Sequence, residues 1–150
     1  MERISFKEND ISQRPALELL QKLGYQHLSQ EEALELRGGK TSNVLLEDIL
    51  RQQLRQLNSI RIGSHNEARF SEQNIENGVA AMRNVPMDGG YLNANEAVYN
   101  MLTLGKAFEQ SIDGDKKSYT MRYIDWQHPE NNVFHVTEEF AVMRTGMNDT

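Results

Sequence analysis

The chain has no cysteine among its 150 residues. That excludes disulfides, thiolate zinc sites and cysteine nucleophiles together. Proline is scarce at three residues, and there is a single tryptophan. No apolar run exceeds the four residues of a stretch such as Val79-Ala80-Ala81-Met82, whereas a membrane helix needs about 20. The N-terminus, Met1-Glu2-Arg3-Ile4-Ser5-Phe6, carries no apolar signal core, so a cytoplasmic chain without a membrane segment is expected. Basic charge is also short: 16 Lys+Arg face 22 Asp+Glu, a net charge of −6. Residues 1–60 hold 8 basic and 9 acidic groups, and residues 61–150 hold 8 and 13. Autonomous nucleic-acid binders present a basic stripe. The densest basic pair here, Lys116-Lys117, sits beside Asp113 and Asp115. The chain alone is therefore not expected to bind DNA tightly.

What is present is enough for a modest core: 38% apolar residues, with five Phe, five Tyr and seven Met. The length suits one domain or part of one. No repeat or low-complexity stretch occurs. Asp10 can cap a first helix running to Leu23, with Pro15 in an early turn. Ala16, Leu19, Leu20 and Leu23 form its apolar stripe, and Gly24 suits its C-terminal stop. Glu31 to Leu36 can form a short helix ahead of Gly38-Gly39. Leu46, Ile49, Leu50, Leu54 and Leu57 predict a second main helix over Asn43 to Leu57, with Glu47 and Asp48 at its positive end. Asn58 to Phe70 reads as a loop. Ser71 can cap a third helix with Ile75, Val79 and Met82 inward. Asn93, with Glu96 three residues on, suggests the start of a fourth that ends at Gly105.

The period then changes. Lys106 to Ile112 alternates weakly, Asp113-Gly114 is a hairpin turn signal, and Ser118 to Trp126 reads as a strand. After a loop holding Pro129, Val133 to Met143 reads as a further strand with Phe134, Val136, Phe140 and Val142 on one face. Helices followed by an antiparallel meander give an α+β class: helices packed on a short, mostly antiparallel sheet. The last strand lacks a neighbour, so the chain reads as truncated beyond Thr150.

Few residues speak of chemistry. Gly39-Lys40-Thr41 matches the end of a P-loop, but Leu34 stands where the first glycine belongs and no strand precedes it, so it reads as a plain loop. His27, His65, His128 and His135 form no ligand pair and read as surface or edge residues. Glu138 interrupts an apolar face, and either a strand-end place near the surface or pairing with an arginine such as Arg122 would explain it. Asp125, before a Pro-containing loop, reads as an Asx-turn residue. Glu8 reads as a dipole partner of the first helix.

Three segments together carry a resemblance. Phe6-Lys7-Glu8-Asn9-Asp10-Ile11 with Leu17 to Tyr25, Leu45 to Leu57-Asn58, and Tyr123-Ile124-Asp125-Trp126-Gln127-His128-Pro129-Glu130-Asn131-Asn132-Val133-Phe134 resemble type I restriction enzyme R subunits. The last is similar to that family's I-D-[FW]-x-x-P-x-N-N-x-F segment. The resemblance implies a restriction-endonuclease-like PD-(D/E)xK nuclease domain that cuts double-stranded DNA. It implies Mg²⁺ and ATP for the full-length enzyme, with an ATP-driven motor and with modification and specificity subunits as partners. The family's catalytic Asp and E-x-K pair follow the I-D-[FW] segment. Neither R-P-D nor [DE]-x-K follows here, so residues 1–150 are expected to be an inactive N-terminal part of that domain, with no catalytic or metal ligand of their own. Glu8 is the one candidate auxiliary acid. Ser12 and Glu139 depart from the family's usual Glu and Gln. The competing expectation is a self-contained interaction module, without any DNA link, that uses the sheet edge and the Leu-rich helix.

Overall fold

The computed structural model describes residues 9–143. The chain divides into two compact units, residues 1–46 with 133–150, and residues 47–132.

In the first unit a π-helical turn, Asn9–Gln13, runs into helix α1, Arg14–Lys22. Winding thus begins ahead of Asp10, the expected cap. Gly24 closes α1 at φ +99°, a value only glycine adopts without strain. The Tyr25 N–H donates to the Leu20 carbonyl and the Gly24 N–H to Gln21, a Schellman closure. The expected stripe does not become a core: Leu19 and Leu23 are exposed, and the half-buried side is rotated to Gln13, Leu17 and Leu20. Strand β1, Gln26–His27, follows. Helix α2, Gln30–Leu36, opens on a capping box in which the Ser29 hydroxyl accepts from the Glu32 N–H and the Glu32 carboxylate accepts from the Ser29 N–H.

Arg37, 4% exposed, organises the rest of this unit. Its guanidinium donates to the carbonyls of Thr41 and Asn43, and to that of Ala141 at 2.8 Å. It also lies 4.0 Å over the Phe140 ring. The Asn43 amide donates back to the Arg37 carbonyl at 2.8 Å. Asn43 is thereby spent on a turn, which is why the next helix does not begin there.

The second unit holds the remaining helices: α3, Glu47–Leu57; α4, Glu72–Arg83; and α5, Gly90–Leu104. Ser71 caps α4 as expected, its hydroxyl accepting from the Asn74 N–H. Helix α5 starts earlier than its sequence pattern suggested, because Gly90 takes φ +87° and Asn93 lies inside the first turn. The stretch read as a loop contains a hairpin, β2 Ile60–Ile62 with β3 Asn66–Ala68, turned by Gly63 at φ +62°. A second hairpin pairs β4, Lys106–Ile112, with β5, Asp115–Met121, in register from Lys106–Met121 to Ile112–Asp115. Its turn residues Asp113 and Gly114 both have positive φ, as a type I′ turn requires.

Strand β5 ends at Met121, short of the expected Trp126, because a side chain takes over the pairing. The Asn58 carbonyl oxygen accepts from the Arg122 N–H at 2.7 Å, and its amide donates to Arg122 and Leu54 carbonyls at 2.9 Å. The core of this unit is Leu54, Ile60, Phe70, Ile75, Val79, Met101, Met121 and Tyr123. The Tyr123 hydroxyl donates to the Gly78 carbonyl at 2.6 Å, and burial pushes its pKa up to about 12.

The architecture is α+β, with five α-helices and short ladders among the described residues. The expected single sheet is replaced by three separate two-stranded ladders, one of them parallel. The long strand predicted over Val133 to Met143 reduces to β6, His135–Val136, beside β1. Glu139 at φ +51° breaks the extended run, and the chain beyond is held by Arg37 and by a Met143 N–H bond to the Thr41 carbonyl at 3.1 Å. No helix among the described residues is long and apolar enough to cross a membrane.

Two substitutions test this account by chemical denaturation. Arg37→Met orphans buried carbonyls and should cost roughly 2–4 kcal/mol. Gly105, the α5 stop at φ +77°, leaves no room for a Cβ against the Met121 carbonyl, so Gly105→Ala should cost about 2 kcal/mol.

Candidate functional site

The segment most rich in unusual residues, Asp125 to Asn132, folds as a closed hydrogen-bonded loop in the second unit. Asp125 is buried, and one of its oxygens accepts from the main-chain N–H groups of Gln127 (3.2 Å) and His128 (3.1 Å). The other accepts from the Asn131 amide at 3.1 Å. These donors, led by Asn131 and joined by the Arg122 charge 3.6 Å away, hold its carboxyl below the usual carboxylate range. Asn132 answers from the far end. Its side-chain oxygen accepts from the Asp125 N–H at 2.8 Å, and its amide donates to the Asp125 and Pro129 carbonyls. Pro129 begins a 3₁₀ turn, Pro129–Asn131, where its missing N–H costs nothing. The Asx-turn reading of Asp125 is thus what the structure shows, extended to a loop in which the Asp125, Asn131 and Asn132 side chains bind one another and the main chain.

Trp126, by contrast, projects from this loop and is 60% exposed. Its indole N–H donates to the Leu102 carbonyl in the last turn of α5 at 2.8 Å. Beside it lies a cleft of about 250 Å³, walled by α5 residues from Leu102 to Gly105 and by Arg122 to Ile124 with Trp126 and Gln127. The Arg122 guanidinium donates to the Leu57 carbonyl at 3.1 Å while its side chain stays 46% exposed.

Glu138 belongs to the other unit, and its partner is not Arg122. The His27 ring nitrogen lies 2.7 Å from its carboxylate, which lowers the carboxyl pKa by that hydrogen bond. The pair ties β1 to the chain after β6, and Gln30 repeats the tie to Glu139 at 2.9 Å. His65 and His128 are exposed. Ahead of Lys40-Thr41, the Gly38 and Gly39 N–H groups already donate to the Glu35 and Leu34 carbonyls, and the Thr41 carbonyl serves Arg37. Glu8 lies outside the described residues.

Sequence reasoning missed the charge ladder between α3 and α4. Arg51 pairs with Glu76, and with Asp48 at 2.6 Å; Arg55 pairs with Glu72 at 2.7 Å, and Arg83 with Glu47 at 2.6 Å. The i, i+4 spacing of Arg51 and Arg55 was the visible signal, but their partners Glu76 and Glu72 sit on another helix. The guanidinium hydrogen bonds lower the pKa of Glu72 and Glu76. Among the described residues no group of three or more His, Asp or Glu is placed to hold a metal ion. The donor set therefore does not fit a divalent cation within residues 9–143.

Residues 5–150 match the model of the family described as type I restriction enzyme R protein N terminus, and the chain belongs to that family. No curated protein and no solved structure matches it.

The lowered pKa of Asp125 fixes a pH dependence. Its contribution to stability is complete above the unfolded carboxyl value, about 3.9, and is lost as pH falls through the lower folded value. An acid titration followed by circular dichroism should therefore show a steeper loss below about pH 4 than in Asp125→Asn, whose neutral pH stability is already reduced.

Proposed function

We propose that this chain is the amino-terminal scaffold of the nuclease domain of a type I restriction R subunit, a cytoplasmic enzyme whose full-length form cleaves double-stranded DNA. The match across residues 5–150 carries the reading. Tyr123 to Phe134 supports it, because the segment that resembles the family folds as one loop whose Asp125 and Asn132 side chains bind its own main chain. Those groups build a frame and do not face a substrate.

In this reading the full-length assembly acts with modification and specificity subunits, uses ATP to drive translocation, and uses Mg²⁺ for cleavage. Mg²⁺ in such a centre neutralises charge on the phosphate and activates water. Five carboxylates of residues 9–143 are engaged elsewhere: Asp125 in its loop, Glu47, Glu72 and Glu76 with arginines, and Glu138 with His27. The metal-gripping acids then belong to residues outside 9–143. The PD-(D/E)xK assignment is part of the same proposal, and so is the placing of residues 1–150 within one nuclease domain.

The test compares two preparations on double-stranded DNA. The 150-residue chain with Mg²⁺ should leave plasmid DNA intact. The full-length R protein, assembled with its modification and specificity subunits, should cut it when ATP and Mg²⁺ are both present. Cleavage by the chain alone would overturn the scaffold assignment, and failure of the complete assembly to cut would overturn the nuclease reading.

A further inference from the structure

We infer that the cleft between the end of α5 and the Asp125 loop seats one unpaired base of single-stranded DNA, with Trp126 as the stacking surface and Arg122 as the contact to a neighbouring phosphate. The inference rests on the DNA-handling reading above and adds to it a ligand class and two binding residues.

The first support is Trp126 itself. A large ring left 60% exposed retains apolar surface in contact with water. This one is also anchored, by the indole N–H bond to Leu102 on one side and by the Asp125 loop that fixes its main chain on the other. An anchored ring loses little freedom on binding, so a planar ligand laid on it meets a prepared surface. Every nucleobase offers a π face to such a surface, whatever its identity.

Size and charge narrow the ligand. The cleft, about 250 Å³, falls below the usual range of ~300–1,000 Å³ for small-molecule sites, and suits one ring system. Arg122 is the only charged residue among the described residues lining it, in a chain of net charge −6. It is positioned by Leu57 and Asp125, yet half open to solvent, so its planar fork can meet a phosphate. The Thr103 hydroxyl and Gln127 amide supply hydrogen-bonding groups for a base edge. A duplex keeps its base faces stacked and would bring two phosphate strands to a chain of net charge −6. An unpaired strand can place a single base in the cleft, so affinity should be modest and confined to single strands.

Trp126 is the sole tryptophan, and its emission therefore reports on this cleft directly. The chain is titrated at low salt with a short oligothymidylate, with an abasic oligodeoxynucleotide of equal length, with duplex DNA and with ATP. The oligothymidylate should quench Trp126 saturably and bind roughly tenfold or more tightly than the other three, as base stacking predicts. By anisotropy of a labelled oligothymidylate, Trp126→Ala should weaken binding roughly tenfold while Trp126→Phe retains most of it. Arg122→Gln should reduce the slope of log affinity against log salt by about 0.7, the value for one phosphate on a single strand.

Absence of quenching would overturn the site, as would equal quenching by the abasic strand. Equal binding of ATP would make the ligand a free nucleotide and overturn the DNA assignment. Quenching only by the modification or specificity subunits would make the cleft a protein-docking surface and overturn it too. The two readings fail separately: a complete assembly that cuts DNA while Trp126 stays unquenched sinks only the base site. A saturable, base-dependent quench with an assembly that never cuts sinks only the nuclease reading.

Discussion

Main-chain hydrogen-bond satisfaction is the constraint on which this chain most depends. Its ladders are short, and two of the six strands among the described residues are only two residues long. Buried N–H and C=O groups must still find partners, because each orphan costs roughly 1–3 kcal/mol. Side chains supply what strands do not. Arg37 serves three carbonyls, Asn58 completes the edge at Arg122, and Asp125 and Asn132 close a loop from both ends. Asn74 does the same below α4, donating to the Glu109 carbonyl at 3.0 Å. Buried polar residues here replace backbone pairing and so hold irregular chain in one conformation.

That role explains why Asp125 and Asn132 spend their polar groups on the main chain of their own loop. A loop with a buried aspartate, one proline and two asparagines looks like an active-site signature. In place, the acid accepts from its own turn and the second asparagine spans the loop mouth. Trp126 stands outside this internal bonding and lines the cleft beside it. The charges follow the same pattern: acids on α3 and α4 are matched by Arg51, Arg55 and Arg83. Exposed pairs of this kind contribute at most about 1 kcal/mol each, so they set helix register more than they add stability.

Local signals proved most readable where one residue type answers one backbone need. Ser71 capping α4, Gly24 closing α1, Asp113-Gly114 turning a hairpin and Asp125 making an Asx turn each follow from chemistry within a few positions. The α2 capping box, Ser29 with Glu32, was equally local and could have been read from its spacing. Signals that depend on distant partners misled. The alternation of Phe134, Val136, Phe140 and Val142 resembles a strand face, yet Glu139 turns the chain and Arg37 claims the carbonyl of Ala141. The α1 stripe resembles a core face, yet its rotation follows what packs beside it. Glu138 needed a partner, and nothing in its neighbourhood of sequence pointed to His27, 111 positions away.

Helix positions, turn types, the α+β class and the family kinship were thus contained in the order of residues, since each rests on short-range stereochemistry or on a stretch of recognisable text. Which strands pair, where β5 stops, which carboxylates are already engaged and that Trp126 stands fixed beside an open cleft emerged only on folding. The physical reason is that these outcomes are competitions. A backbone group accepts whichever donor the fold brings within about 3 Å, and side chains from far along the chain can win that contest over the neighbouring strand that periodicity anticipates.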